Sequence, residues 1–157
     1  RSKINEGTCF TLIFDFACQK KDVKQDEDHQ YHFDGAHVLI AEDNDINYEV
    51  ESELLQMYNI DCTRACNGKE CVNFMKDDPN YDCILMDMQM PEMDGLEAAK
   101  EIRKFNRSVP IIAVTANAFE TDIQNCLQAG MNAHLSKPFD VDKLMQLLSK
   151  FYTKSNV

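Results

Sequence analysis

The twelve residues from Ile84 to Gly95, which read ILMDMQMPEMDG, constrain the fold more than any other part of this 157-residue chain. A continuous apolar run ends on a carboxylate, Asp87, and a short loop leads to a helical pattern that begins at Asp94-Gly95. In open α/β sheets the chemistry lies just beyond the carboxyl ends of parallel strands. The segment therefore predicts a buried strand that presents Asp87 at that edge.

Strand and helix patterns alternate from Ala36 onward, which predicts an α/β fold with five parallel strands and helices on both faces. The predicted strands are His37–Ala41, Asp61–Ala65, Asp82–Met86, Pro110–Val114 and Ala133–Leu135. After the first strand, Ile46, Val50, Leu54 and Met57 have the spacing of the apolar face of an amphipathic helix.

The first 35 residues differ from the rest in composition. Residues 8–17 place four apolar side chains on alternate positions, which predicts an extra N-terminal strand. Residues 18–35 are rich in charged and polar side chains and poor in apolar ones, as is typical of a linker. We therefore divide the chain into an N-terminal piece (1–17), a linker (18–35), a folded domain (36–153) and a short tail (154–157).

Composition excludes several functional classes. The net charge of −11 argues against nucleic-acid binding, which needs clustered Lys and Arg. No apolar stretch approaches the roughly 20 residues that span a bilayer, so we expect no membrane contact in this segment and a cytoplasmic location. The seven cysteines are odd in number and include no C-x-x-C, which favours free thiols in a reducing compartment.

Five polar residues lie at or after the carboxyl ends of predicted strands. The first strand leads to Glu42 and Asp43, the third to Asp87, the fourth to Thr115 and the fifth to Lys137. Because these ends meet at one edge of a parallel sheet, we expect the five side chains to share one crevice. Carboxylates there suit Mg²⁺, while a hydroxyl and an ammonium can bind phosphoryl oxygens.

Residues 36–153 resemble a receiver domain of the two-component response regulator family. The similarity covers EDN after the first strand, LMDMQMPEMDG around the third, AVTANA after the fourth and SKPF after the fifth. It implies a doubly wound, flavodoxin-like sheet with strand order 2-1-3-4-5.

The resemblance also implies a phosphorelay function. Asp87 would accept a phosphoryl group from a phosphohistidine on a histidine kinase or a histidine phosphotransfer domain. Glu42 and Asp43 would hold Mg²⁺ together with Asp87 and the backbone carbonyl of Gln89. Such a domain helps to catalyse its own phosphorylation and dephosphorylation, but it is not a kinase by itself.

The same resemblance implies roles for three further residues. Thr115 and Lys137 would bind phosphoryl oxygens, and the Lys137-Pro138 peptide bond would be cis. His134 takes the position of an aromatic switch residue, whose ring would turn inward when the Thr115 hydroxyl moves toward the phosphoryl group. An ordinary half-buried histidine is an equally good interpretation of His134.

Two other functions remain as alternatives. A Mg²⁺-dependent aspartyl-phosphate phosphohydrolase on a similar fold would place an aspartate two residues after the nucleophile, where this chain has Gln89. A domain that keeps only the fold as an interaction module would be expected to lose Asp87 or Lys137, and both are present.

The segment from Ser2 to Phe10 resembles the S-x-x-G-x-G-T-x-F stretch of a histidine-kinase ATP-binding domain, with Asn5 at the first glycine position. This implies that the chain derives from a hybrid histidine kinase, for which a membrane anchor is one option, and that the segment does not bind ATP. Residues 8–17, or the face formed by the fourth helix, fifth strand and fifth helix, could also form a homodimer.

Overall fold

The computed structural model describes residues 2–3, 7–8, 31, 33–116, 120–138 and 140–152. Residues 9–17 of the predicted N-terminal strand, residues 18–30 and 32 of the predicted linker and the tail 154–157 lie outside these residues. Of the N-terminal piece, Ser2–Lys3 and Gly7–Thr8 are described, and they pair as two short antiparallel strands.

A second unit runs from Tyr31 to Val157 and begins before the predicted boundary at Ala36. Phe33 is buried, and its ring contacts the ring of Tyr152 edge to face with centroids 5.6 Å apart. The Tyr152 hydroxyl donates a hydrogen bond of 2.8 Å to the carbonyl oxygen of Asp34. These contacts hold the segment that precedes β-sheet residue Ala36 against the end of the last helix.

The second unit contains a five-stranded sheet in which every neighbouring pair is parallel. The strands are β1 (Ala36–Ala41), β2 (Ile60–Ala65), β3 (Cys83–Asp87), β4 (Ile111–Thr115) and β5 (Ala133–Ser136). Their order is β2-β1-β3-β4-β5, which confirms the predicted sheet. Each observed strand agrees with its prediction to within one residue at either end, and Asp87 and Thr115 are the last residues of their strands.

Five helices connect and follow these strands, and most begin at a side-chain cap. They are α1 (Asp45–Gln56), α2 (Gly68–Asp77), α3 (Gly95–Phe105), α4 (Glu120–Gln128) and α5 (Val141–Phe151). Asn44, Asn67, Asp94 and Asp140 cap α1, α2, α3 and α5 by accepting hydrogen bonds from backbone amides of the first turn. In the described part of the chain no helix is both long and apolar enough to cross a bilayer.

The sheet has an apolar core on each face. On one face Met75 of α2 and Ile102 of α3 pack against side chains of β3 and β4. On the other, Leu55 of α1 and Leu144 and Leu148 of α5 pack against the opposite side chains. The central strands are therefore covered on both sides, which explains their continuous apolar runs.

Of the apolar face predicted for α1, Leu54 packs partly buried against the core, but the other three side chains do not. Ile46, Val50 and Met57 are 71%, 56% and 78% exposed, whereas Glu51 and Leu55 are buried. A helix can carry two apolar stripes, and contact with the sheet selects one of them. Two apolar side chains of α1 and that of the residue that caps its end consequently face solvent.

Gly95 lies where the loop after β3 turns back against that strand. A Cβ atom at this position would lie 2.3 Å from the carbonyl oxygen of Asp87. Backbone contacts of this kind do not yield as a flexible side chain would. A side chain at position 95 would therefore push on the residue that ends β3.

We expect Gly95→Ala to lower the free energy of unfolding by about 2 kcal/mol, because the added methyl group overlaps backbone atoms. Urea unfolding followed by circular dichroism measures the change. Glu97→Ala is the matched control, since Glu97 is exposed in the same helical turn. A Gly95→Ala variant as stable as its control would contradict this account.

Candidate functional site

Three carboxylates meet where the strand order reverses between β1 and β3. The register pairs Ala41 with Met86, so the next residues, Glu42 and Asp87, lie side by side. Asp43 follows Glu42, and one carboxylate oxygen from each acid lies within 4.8 Å of the other two. The structure thus brings together the three acids that the sequence assigned to one crevice.

Glu42 is held in a fixed orientation. Its backbone amide donates to the carbonyl oxygen of Ala65 at 3.0 Å, and its side chain is 1% exposed. Oxygen Oε1 accepts hydrogen bonds from the Asn44 amide at 3.1 Å and from Nδ2 of Asn47 at 3.0 Å. The buried carboxylate therefore has polar partners on the side that faces α1.

Arg64 of β2 supports the backbone of the acidic loop, a role that the sequence analysis missed. Its guanidinium donates to the carbonyl oxygens of Glu42 and Asp43 at 3.2 and 3.1 Å. It also pairs with Asp45 at 2.7 Å and lies over the ring of Tyr48, 4.9 Å from the centroid. The sequence signal that could have identified this role is the position of the arginine, one residue before the end of the strand next to β1.

Lys137 connects the acids that end or follow β1 and β3 to the loop after β5. Its ammonium donates to Oδ2 of Asp87 at 2.6 Å and to Oε2 of Glu42. Its backbone amide donates to the carbonyl oxygen of Thr115 at 2.8 Å, which ties the loop after β5 to the end of β4. The peptide bond between Lys137 and Pro138 is cis, as the resemblance implied.

Burial and pairing act against each other on these ionisable groups. Burial raises the pKa of Asp87 above its usual range, although the Gln89 amide and the Lys137 ammonium favour its charged form. Burial also disfavours the Glu42 carboxylate, but hydrogen bonds from Lys137 and Asn47 outweigh it and hold the pKa of Glu42 below its usual range. For Lys137 the two carboxylates outweigh burial and raise its pKa. The crevice therefore keeps its amine charged.

A fourth acid, Glu51 of α1, lies near Lys137. The sequence analysis did not predict it as part of the site. Its side chain is 3% exposed, and Oε1 lies 4.0 Å from Nζ of Lys137. That oxygen has no hydrogen-bond partner among the described residues. Burial raises the pKa of Glu51 to about 8. Its helical spacing from Tyr48 and Leu55 places Glu51 on the buried face of α1. The sequence analysis missed it because glutamate side chains are usually exposed to solvent.

Thr115, His134 and Gln89 line one cavity of about 290 Å³. Thr115 and His134 are half-buried, and the cavity is also bordered by Met88 and Cys126, whose sulfur atoms lie 3.7 Å apart. The Gln89 amide donates to Oδ1 of Asp87 at 2.9 Å. The remaining residues predicted for the site are thus near one another.

The donor set suits a hard divalent cation. Three carboxylates lie around a single charged amine, Lys137, so the cluster of Glu42, Asp43, Asp87 and Lys137 carries excess negative charge. Mg²⁺ prefers oxygen ligands and is bound through one or two carboxylates with the remaining positions left to water or phosphate. The residues present therefore fit Mg²⁺.

Comparison with known proteins matches this arrangement to one family. A family model described as the response regulator receiver domain matches residues 38–149. The osmosensing histidine protein kinase SLN1 of Saccharomyces cerevisiae is 40% identical over 120 residues, which cover 73% of this chain and 10% of that protein. Two-component system protein A of Emericella nidulans is 39% identical over 118 residues, covering 74% and 17%. The chain spans less than a fifth of either relative.

Two solved structures are similar along nearly their whole length. The receiver domain of sensor histidine kinase PA1611 from Pseudomonas aeruginosa, with a magnesium ion in its active site cleft, has a TM-score of 0.70 and 41% identity over 74% of this chain and 97% of that chain. The receiver domain of Ssk1, co-crystallised with the histidine phosphotransfer protein Ypd1 of S. cerevisiae, has a TM-score of 0.70 and 34% identity. The similarity covers 76% of this chain and 90% of that chain.

Glu51 makes stability depend on pH. In the unfolded chain the pKa of this carboxyl has its ordinary value of 4.5, whereas in the folded chain burial raises the pKa to about 8. Between these values the unfolded state binds fewer protons, so the contribution of Glu51 to stability falls as pH rises from about 4.5 through about 8. Relative to the wild-type protein, we expect the free energy of unfolding of Glu51→Gln to rise by on the order of 4 kcal/mol between pH 5 and pH 9.

Urea unfolding of both proteins in EDTA at pH 5, 7 and 9 measures this difference. Glu53→Gln is the matched control, because it makes the same chemical change at an exposed position of the same helix. Parallel pH profiles for wild type and Glu51→Gln would show that Glu51 titrates normally.

Proposed function

This chain belongs to the response regulator receiver domain family, and from that premise we propose that it is a phosphoacceptor domain of a phosphorelay. Asp87 is the acceptor, and a phosphohistidine on a partner protein is the donor. The observation that carries the proposal is the pairing of the Lys137 ammonium with Asp87 inside the acidic crevice. That pairing gives one site both a nucleophilic carboxylate and a cation for phosphoryl oxygens.

The transfer reaction needs positioning more than covalent chemistry. A carboxylate oxygen of Asp87 forms the new O–P bond while the N–P bond to the imidazole breaks, and the imidazole nitrogen keeps the electron pair of that bond. The Lys137 ammonium and the Thr115 hydroxyl donate hydrogen bonds to phosphoryl oxygens. The amide of Gln89, already bonded to Asp87, orients the carboxylate.

We assign a Mg²⁺ site to the carboxylates of Glu42, Asp43 and Asp87 and the backbone carbonyl of Gln89. The bound ion supplies positive charge that offsets the charge of the acids and of the phosphoryl oxygens. The magnesium ion in the cleft of the similar PA1611 receiver domain supports this assignment.

We assign to His134 the part of a switch residue that responds to phosphorylation through Thr115. Both side chains border the same cavity, so a Thr115 hydroxyl that moves toward a phosphoryl group leaves space beside the imidazole ring. Phosphorylation shifts the balance between two ring positions by the difference in its interaction with them.

The partner we propose is a histidine phosphotransfer protein or domain, in a cytoplasmic relay that includes a hybrid histidine kinase. The relatives that are histidine kinases and the Ssk1 receiver bound to Ypd1 support this context. A docking surface is available at the start of α1, the helix that follows the acidic loop, where Ile46 and Val50 are exposed. We retain the N-terminal piece, residues 1–17, as a remnant of the kinase ATP-binding domain within this proposal.

The phosphohydrolase alternative is not favoured. Its general acid would occupy position 89, where this chain has a glutamine. The amide group of Gln89 cannot supply a proton to a leaving group as a carboxyl can.

Acetyl phosphate with Mg²⁺ should add one phosphoryl mass to the protein, in a linkage that is labile in base. Asp87→Asn should abolish the adduct, because an amide is not a nucleophile of this kind. Mass spectrometry measures both. Asp77→Asn is the control, since Asp77 is an exposed aspartate at the end of α2. An unmodified wild-type protein, or an adduct that persists in Asp87→Asn, would refute the assignment.

The exposed side chains of α1 should matter for transfer from a protein but not from a small donor. We expect the double variant Ile46→Gln, Val50→Gln to slow transfer from a phosphorylated histidine phosphotransfer protein about tenfold relative to its acetyl phosphate reaction, because both substitutions remove apolar surface that docking would bury. Leu127→Gln is the control, as Leu127 is similarly exposed on α4. Equal rate ratios for the two variants would place the docking surface elsewhere.

A further inference from the structure

The buried carboxyl of Glu51 has an oxygen atom without the hydrogen-bond donor that a buried oxygen ordinarily has. Among the described residues it has a buried oxygen without a hydrogen bond, and the nearest cation is the Lys137 ammonium at 4.0 Å. Leaving a buried polar atom unsatisfied costs about 1–3 kcal/mol, so such atoms are rare unless they are used in another state.

The Lys137 ammonium is committed to other acceptors in this structure. It donates to Asp87 at 2.6 Å and to Glu42, which are two of the acids assigned to Mg²⁺. Oxygens of Glu42 and Asp87 that turn toward an ion are less available to the amine. Metal binding therefore requires the amine to find another acceptor or to leave the crevice.

We propose that Glu51 is a positioning residue that receives the Lys137 ammonium when the acids above it bind Mg²⁺. A displacement of about 1 Å would bring the amine from 4.0 Å to hydrogen-bond distance of Oε1. Glu51 Oε1 accepts this bond whether or not the other oxygen of the carboxyl carries a proton. The amine then remains in the crevice, beside Asp87, where a phosphoryl oxygen would meet it.

This assignment makes Glu51 matter more in the metal-bound state than in the metal-free state. At 4.0 Å it makes no hydrogen bond to Lys137 in the present structure, so its loss leaves the metal-free pairing in place. In the metal-bound state the loss would leave the amine without its third acceptor. A residue that stabilises one of two states shifts the equilibrium by that difference.

Mg²⁺ titration by calorimetry on four proteins tests the proposal. We expect Glu51→Met, which keeps the length of the side chain but has no oxygen, to raise the Kd for Mg²⁺ about fivefold. Glu51→Gln retains an acceptor oxygen and should bind Mg²⁺ as wild type does. Glu53→Gln removes a charge from the exposed side of the same helix and should also match wild type.

A double-mutant cycle separates action through Lys137 from a general effect. In a Lys137→Met background, Glu51→Met should leave the Kd for Mg²⁺ unchanged. The proposal is overturned if Glu51→Met binds Mg²⁺ like wild type, if its defect persists without Lys137, or if Glu51→Gln is equally defective. A purely structural role would change the melting temperature but would not give this pattern.

A structure of the wild-type protein with Mg²⁺ gives an independent check that needs no variant. Nζ of Lys137 at hydrogen-bond distance from Oε1 of Glu51 supports the proposal, and an amine that stays outside that distance overturns it. The inference rests on the magnesium site of the proposed function but not on phosphoryl transfer. A protein that shows the cycle but takes no phosphoryl group from acetyl phosphate would refute the proposed function alone.

Discussion

The Lys137 ammonium is the interaction on which the site depends, because it joins three strands that are not all neighbours. It follows β5, yet its acceptors follow β1 and end β3, with β4 between β3 and β5. Buried carboxylates repel one another, and this amine offsets that repulsion in the absence of a metal ion. The same cation suits a phosphoryl group, so one side chain serves both the resting protein and the proposed reaction.

Strand ends made most of the site predictable from sequence. Glu42-Asp43, Asp87, Thr115 and Lys137 each end or follow an apolar run, and parallel strands bring such residues to one edge whatever the details of packing. Strand bounds agreed to within a residue because both faces of the central strands are buried, which leaves an unbroken apolar run as the signal.

The orientation of α1 was not predictable in the same way. Ile46, Val50 and Met57 form a clear stripe by spacing, but the sheet contacts the stripe that holds Leu55. Tertiary packing decides which face of the helix is buried. The spacing of apolar residues in the sequence does not decide it when the helix has two candidate faces. Glu51 was missed for the same reason, since it lies on the stripe assigned to solvent. The exposed apolar side chains and the buried acid are thus two consequences of a single helix rotation.

Thr115 and Lys137, the two residues proposed to bind phosphoryl oxygens, are linked through their backbones, and this link bears on how phosphorylation would affect a surface. The Lys137 amide donates to the Thr115 carbonyl, so the backbones of β4 and β5 are joined at the crevice. His134 lies three residues before Lys137 on β5 and borders the same cavity as Thr115. A movement of either the amine or the hydroxyl therefore acts on strands that share a backbone hydrogen bond. Under the proposed function, coupling between the crevice and a surface would run through the backbones of β4 and β5 rather than through a chain of side chains.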